Sequence, residues 1–288
     1  MEAKRNVICC ATGFRPFGPV LPDDKETERL TGEDAKQTAK EPAAPAFNHV
    51  VNEADFDIAF QPIVEVRTGK IHHFEALVRF HHHAPDHSPF EHITIAEESG
   101  LISEFDLAMA GKAIAWLAQA PEKYQVAINV SGHSVGNPLY VEGLDSLLAD
   151  NPWTVSRLMF EITESARMDD LPSANQFIQN LRQQGYEVCL DDFGAGAANF
   201  QYLSTLEVDV VKLDGTALRN ARNATKGRAF LKALTDLCHD LKVGTIAEMV
   251  DDAESLEFIR ECGVQYAQGY LFGKPSTDIK AFEKMEFS

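Results

Sequence analysis

Cys189-Leu190-Asp191-Asp192-Phe193-Gly194-Ala195 is the stretch from which the rest of this chain can be read. The apolar run from Val188 to Leu190 stops at two adjacent carboxylates and a glycine. That is the pattern of a buried strand that delivers two acids at its exit and then turns. Two neighbouring ionised carboxylates repel, and holding them together is costly unless a cation lies between them. An isolated Asp-Asp pair is more often a solvated turn. Here other apolar runs end in the same way, and that recurrence points to a fold.

Working outward from it, strand-like and helix-like runs alternate from Phe56 onward. Residues 57–62 and 71–80 read as two strands joined by a Thr68-Gly69 turn, and 125–130, 157–162, 187–191, 209–213, 243–247 and 264–267 read as further strands. Between them, Ile102, Phe105, Met109, Trp116 and Leu117 lie at helical spacing before Pro121, and residues 143–148 form a short helix. Phe177, Ile178 and Leu181 mark a helix ended by Gly185, and Phe230, Leu234, Leu237 and Leu241 stripe another. Leu256 and Ile259 lie on a helix capped at Asp251 or Asp252 and ended by Gly263. About eight strands separated by helices predict an α/β fold with a largely parallel sheet. The length fits a (β/α)8 barrel, with an open doubly wound sheet as the alternative. No G-x-G-x-x-G turn follows the first strand, which weakens the dinucleotide-binding form of that alternative.

Side chains alternate along a strand, so each run has two faces. Val126, Ile128 and Val130 oppose Ala127 and Asn129; Phe160 and Ile162 oppose Met159 and Glu161. Val211 and Leu213 oppose Val210, Lys212 and Asp214; Phe74, Ala76 and Val78 oppose Glu75, Leu77 and Arg79; Ile246 shares a face with Glu248. One face is apolar, and the other carries a polar residue near the strand's C-terminal end. In a barrel these residues meet at the C-terminal mouth, where such folds carry their chemistry. The set is Glu75, Asn129, Glu161, Asp191, Asp192, Lys212, Glu248 and Gln268. Carboxylates and amide oxygens without Cys or His favour Mg²⁺ or Mn²⁺ over zinc. Several acids, one able to bridge, point to two ions, the arrangement suited to in-line phosphoryl displacement. Lys212 would hold or deprotonate the attacking water, or offset phosphate charge. A barrel with internal salt bridges is the bland alternative, but one lysine cannot neutralise five buried acids.

The whole chain sets limits on this reading. Its 288 residues are 44% hydrophobic, enough for one large core, and its formal net charge is −18 from 44 acids and 26 bases. So acidic a chain lacks a general footprint for duplex nucleic acid or an anionic membrane. Five cysteines without a C-x-x-C pair fit a reducing compartment, and no apolar run is long enough to span a bilayer. A cytoplasmic location is therefore expected. Residues 1–46 are expected to form a disordered leader, because 22–45 are charged and Pro-rich with almost no large apolar side chains. The leader would be a site for a protein partner. His81, His82, His83 and His87 read as solvated loop residues, and His239-Asp240 as a helix end.

The ordered motifs are more specific than any one of them. They are Gln61-Pro62-Ile63; Glu75-Ala76-Leu77 with Arg79; Ala96-Glu97-Glu98-Ser99-Gly100-Leu101-Ile102; Asn129-Val130-Ser131; Glu161-Ile162-Thr163-Glu164; Asp191-Asp192-Phe193-Gly194; Lys212-Leu213-Asp214; Ala247-Glu248; and Gln268-Gly269-Tyr270. In order and spacing the chain resembles the EAL family of bacterial cyclic di-GMP phosphodiesterases, over about residues 56–275 and so within a barrel domain of 47–288. The resemblance implies a modified (β/α)8 barrel with an antiparallel first strand. It also implies hydrolysis of cyclic di-GMP to linear pGpG with Mg²⁺ or Mn²⁺. Glu75, Asn129, Glu161 and Asp191 would then bind the first ion, and Asp191 with Asp192 the second. Glu248 and Gln268 would support the waters of the ions, Lys212 would activate water, and Glu75, Lys212 and Glu248 would be the catalytic group. Gln61, Arg79 and Asp214 would contact substrate, and Glu164 would steady the loop after Asp-Asp-Phe-Gly. A homodimer is a further expectation.

This chain departs from the family pattern at Ala195-Gly196-Ala197-Ala198-Asn199, where the loop has lost most of its hydroxyls. It departs again at Met249, which replaces a usual Gly, and at Asp251, which replaces a usual Glu. Those changes support the alternative of a cyclic di-GMP receptor or protein-interaction module without turnover.

Overall fold

Strand β1 (Phe56–Glu65) turns at Thr68-Gly69 into β2 (Ile71–Phe80), and Gly69, with φ of 68°, supplies the left-handed residue that this tight turn needs. A computed structural model describes residues 55–81, 89–163, 171–194 and 199–282. The 1–46 leader, His82, His83, His87, Glu164 and loop residues 195–198 lie outside the described residues.

After β2 come α1 (Pro89–Ser99), α2 (Ile102–Leu117) and β3 (Val126–Val130). Then follow α3 (Gly132–Val135), α4 (Pro138–Ala149), β4 (Leu158–Thr163), α5 (Leu171–Gln183), β5 (Glu187–Phe193) and α6 (Asn199–Thr205). The order closes with β6 (Val210–Leu213), α7 (Gly215–Asn223), α8 (Gly227–Asp240), β7 (Gly244–Ala247), α9 (Ala253–Glu261) and β8 (Tyr266–Gln268). The strands form a closed barrel in chain order. β1 is antiparallel to both of its neighbours, β2 and β8, and the other adjacent pairs are parallel. The fold is therefore the modified (β/α)8 barrel with an inverted first strand.

Local chemistry sets the helix ends. Asn137 accepts from the Leu139 N–H at 3.0 Å and Pro138 opens α4, so that helix starts five residues before the expected 143. Asp252 caps α9 by accepting from the Ser255 N–H at 2.6 Å, and Gly263 ends it at φ 84°. Chain reversal at Gly263 delays β8 to Tyr266, two residues later than the apolar run suggested. Outward side chains such as Phe74, Val126, Ile128, Phe160, Ile162, Val188 and Val211 are buried beneath the helices in one continuous core. Inside the barrel, Ile63, Ala127, Met159, Cys189, Val210 and Ile246 pack as an apolar floor with Tyr266 against it. Buried His73 shares this level, opposite Ile63 in the β1–β2 register. Among the described residues no helix is long and apolar enough to cross a membrane.

Candidate active site

Above each floor residue, two positions further toward the mouth, stands a polar one. The pairs are Ala127 and Asn129, Met159 and Glu161, Cys189 and Asp191, Val210 and Lys212, Ile246 and Glu248, Tyr266 and Gln268, and His73 and Glu75. On inverted β1 the order is reversed, and Gln61 lies opposite Glu75. Strand periodicity alone thus stacks a polar layer on an apolar one.

Lys212, fully buried, holds the centre of that layer. Its Nζ lies 2.9 Å from Glu161, 2.9 Å from Glu248, 3.3 Å from Asp191 and 3.4 Å from Glu75. Asn129 Nδ2 donates to Glu75 Oε1 at 2.7 Å, and Gln268 Nε2 donates to Glu75 Oε2 at 2.6 Å and to Gln61 Oε1 at 3.1 Å. Gln61 Nε2 in turn donates to the Gly273 carbonyl at 3.1 Å. An ionised carboxylate only accepts, so the contacts with Glu75 fix which way both amides face.

Asp191 and Asp192 are adjacent, and strict alternation would put them on opposite faces. A bulge prevents this. Leu190 pairs with Val211 and Phe193 with Leu213, so two residues of β5 stand against Lys212 alone. Asp192 takes φ of 57°, which Asp tolerates better than most residues. Carboxylate oxygens of Asp191, Asp192 and Glu248 consequently lie within 4.8 Å of one another. Met249, immediately after Glu248, also has a left-handed φ of 53°. Its side chain lies over Gly215, where a Cβ would meet the Met249 Cβ and Cγ at 2.5 Å. Past this kink the chain rejoins β8 through the Val250 N–H to the Gln268 carbonyl at 2.9 Å, and Asp251 accepts from the Tyr270 N–H at 2.8 Å.

Charge balance in the layer is unfavourable without further cations. Two unit charges 4 Å apart interact by about 4 kcal/mol at an effective dielectric near 20. Burial, with Glu75 and Asp191 adding to it, pushes the Glu161 carboxyl up to about 8 against the pull of Lys212. Burial also raises Asp191 and Glu248, despite Lys212. Burial would raise Glu75 too, but Lys212 and the bonds from Gln268 and Asn129 bring it below its ordinary value. Burial works to lower Lys212, and the surrounding carboxylates outweigh it, so the amine is held firmly as ammonium. The layer thus calls for positive charge beyond what one lysine supplies, from protons or from metal ions.

The donor chemistry fits a divalent ion of the Mg²⁺ or Mn²⁺ class. Asn129 Oδ1, Glu161 Oε1, Asp191 Oδ2 and Gln268 Oε1 are buried and have no hydrogen-bond partner among the described residues. Such oxygens are costly to leave unmade, and hard cations take oxygen ligands. The predicted ligands Glu75, Asn129, Glu161, Asp191, Asp192, Glu248 and Gln268 all come together here with Lys212 and Gln61.

Two predicted substrate residues stand slightly apart. Arg79, further along β2, is half-buried and donates through Nη1 to the Val78 carbonyl at 2.7 Å. Asp214 caps α7, accepting from the Ala217 N–H at 2.8 Å. Sequence reading missed α7 and this cap; an Asp before Gly-Thr-Ala-Leu was the available signal. His81 is exposed and paired with Asp55 at 2.8 Å and Asp57 at 2.9 Å.

Comparison with known proteins agrees with this architecture. The EAL domain family model matches residues 46–275. Cyclic di-GMP phosphodiesterase PdeB of Shewanella oneidensis is 30% identical over 289 residues, covering 98% of this chain and 33% of that protein. Cyclic di-GMP phosphodiesterase PdeF of Escherichia coli is 30% identical over 235 residues, covering 80% of this chain and 31% of that protein. The chain thus spans about a third of the length of these two relatives. The crystal structure of the Xanthomonas citri FimX EAL domain in complex with c-diGMP superposes with a TM-score of 0.73 at 24% identity, covering 83% of this chain and 96% of that one. With the inverted first strand, the ordered motifs and the family match over most of its length, this chain belongs to the EAL domain family.

Proposed function

We propose that this chain hydrolyses one phosphodiester of cyclic di-GMP to give linear pGpG, using Mg²⁺ or Mn²⁺, two ions being the favoured number. The observation that carries the reading is the buried oxygen layer around Lys212, with four oxygens that have no hydrogen-bond partner among the described residues. Two phosphodiesterase relatives at 30% identity support the substrate. Glu75, Asn129, Glu161 and Asp191 would hold one ion, and Asp191 with Asp192 the other, with Glu248 and Gln268 at their margin. Bound there, the ions would supply Lewis-acid polarisation of the phosphate and lower the cost of forming a hydroxide nucleophile.

The side chains do the rest. Lys212, 2.9 Å from both Glu161 and Glu248, would orient the attacking water and offset charge on the phosphate. With ions bound beside it, Glu248 would be ionised and able to act as base. Glu248 is 2.9 Å from Lys212 and, at 14% side-chain exposure, is the most accessible of the four acids around it. It would take the proton as the water oxygen bonds to phosphorus and the bond to the ribose 3′ oxygen breaks. Gln61 and Arg79 would steady the substrate at the mouth, with Arg79 exchanging its bond to the Val78 carbonyl for a phosphate oxygen. Asp214 has one oxygen engaged as the α7 cap and would contact substrate through the other.

Purified protein is mixed with cyclic di-GMP and either ion, and pGpG is followed by chromatography. Product with Mg²⁺ or Mn²⁺ and none with chelator is expected. Nucleotide binding without product under either ion would favour the second reading, a receptor. The observation behind that reading is Met249, a bulky left-handed residue next to Glu248.

A further inference from the structure

Asn129 would contribute a neutral amide oxygen, a weaker donor than a carboxylate, so its usefulness depends on being held in place before any ion arrives. β3 is only five residues long and Asn129 is its penultimate one. Two residues on, Ser131 has every polar group engaged. Its N–H donates to Asp106 Oδ2 at 2.8 Å, and its hydroxyl donates to Glu97 Oε1 at 3.2 Å and accepts from the His133 N–H at 3.3 Å. Its carbonyl accepts from the N–H groups of Ser134 at 2.9 Å and Val135 at 3.3 Å. Ser134 Oγ donates to the same Asp106 Oδ2 at 2.6 Å. Asp106 sits on α2 outside the barrel wall, is 5% exposed, and has no cation in an ion pair with it among the described residues. Burying an acid there is costly, and two converging hydrogen bonds from the segment after Asn129 are what the position provides in return.

We propose that Asp106 is a positioning residue for the metal centre. By clamping Ser131 and Ser134 it fixes the exit of β3 and holds Asn129 with its Nδ2 on Glu75 and its Oδ1 free for an ion. Glu97 on α1 is the second, weaker clamp on the same serine. This rests on the metal reading above and extends it to a helix outside the barrel wall.

The test is calorimetric titration of Mn²⁺ into the metal-free chain, wild type against D106N, D106A and S134A, with folding checked by circular dichroism. Asn keeps an oxygen acceptor for both bonds, so D106N should bind Mn²⁺ within about twofold of wild type. D106A should bind about tenfold more weakly, and S134A, which loses one bond, about threefold. S134A carries the test if D106A does not fold. Folded D106A or S134A with wild-type Mn²⁺ affinity would reduce Asp106 to a structural residue and overturn the inference, leaving the metal reading intact. D106N as weak as D106A would also overturn it. A wild-type chain that binds no Mn²⁺ would overturn both.

Discussion

Without Lys212, four carboxylates would face one another across the upper barrel with no ammonium between them. If the proposed hydrolysis holds, K212A is expected to lower its turnover by about 10²–10⁴, the usual scale for losing a group that manages charge and protons at a reaction centre. The same variant should gain more in melting temperature from Mn²⁺ than wild type does, because the ions then meet acids with no competing cation. Scanning fluorimetry with and without Mn²⁺ reads this directly. Asp106 offers a separate titration. Burial raises its carboxyl to about 7 against the hydrogen bonds from Ser134 and Ser131, whereas in the unfolded chain it would ionise near 3.9. Between those values the folded state keeps a proton that the unfolded state has released. Asp106 thus costs stability progressively as pH rises toward its folded value. Urea unfolding at about pH 4 and pH 7 should show wild type losing stability relative to D106N, by about 1.4 kcal/mol for each pH step of one across that window. A difference between the two proteins that does not change with pH would contradict this.

At the level of elements, two kinks aim the site. The β5 bulge turns Asp191 and Asp192 inward together, and the left-handed Met249 follows Glu248 at the end of β7. Gly215, opening α7, leaves the space that Met249 fills. G215A should lose about 1–3 kcal/mol through overpacking, measured by denaturant unfolding. M249G removes the obstruction and relieves a left-handed non-glycine, so adding it to G215A should restore most of the loss; a double-mutant cycle reports the coupling. Equal losses from G215A with and without Met249 would place the clash elsewhere. Much of this layer was legible beforehand. Period-two spacing picked out Asn129, Glu161, Lys212 and Glu248 because a strand cannot avoid it. The bulge was not legible, since nothing in Leu190-Asp191-Asp192-Phe193 says that the ladder slips there. Nor was Asp106, because its partners are set by how α2 lies against β3.

The whole molecule gathers acids from β2, β4, β5 and the exit of β7 into one layer, and the folded state alone forms this site. Binding confined to the folded state stabilises it by about 2.7 kcal/mol when the ligand is at a hundred times its dissociation constant. Mn²⁺ or Mg²⁺ should therefore raise the melting temperature by several degrees and chelator should reverse it, while Na⁺ at matched ionic strength should do neither. The amino-acid sequence by itself determined that strands and helices alternate, which face of each strand is polar, and that oxygen ligands are gathered without Cys or His. Those are local consequences of backbone periodicity and side-chain chemistry. The family resemblance already implied a reversed β1 and a shared site for Asp191 and Asp192; only the tertiary structure decided that a β5 bulge brings those two acids to one face and that Lys212 touches four acids at once. Each of these depends on register between strands far apart in the chain, which packing fixes and local sequence does not encode.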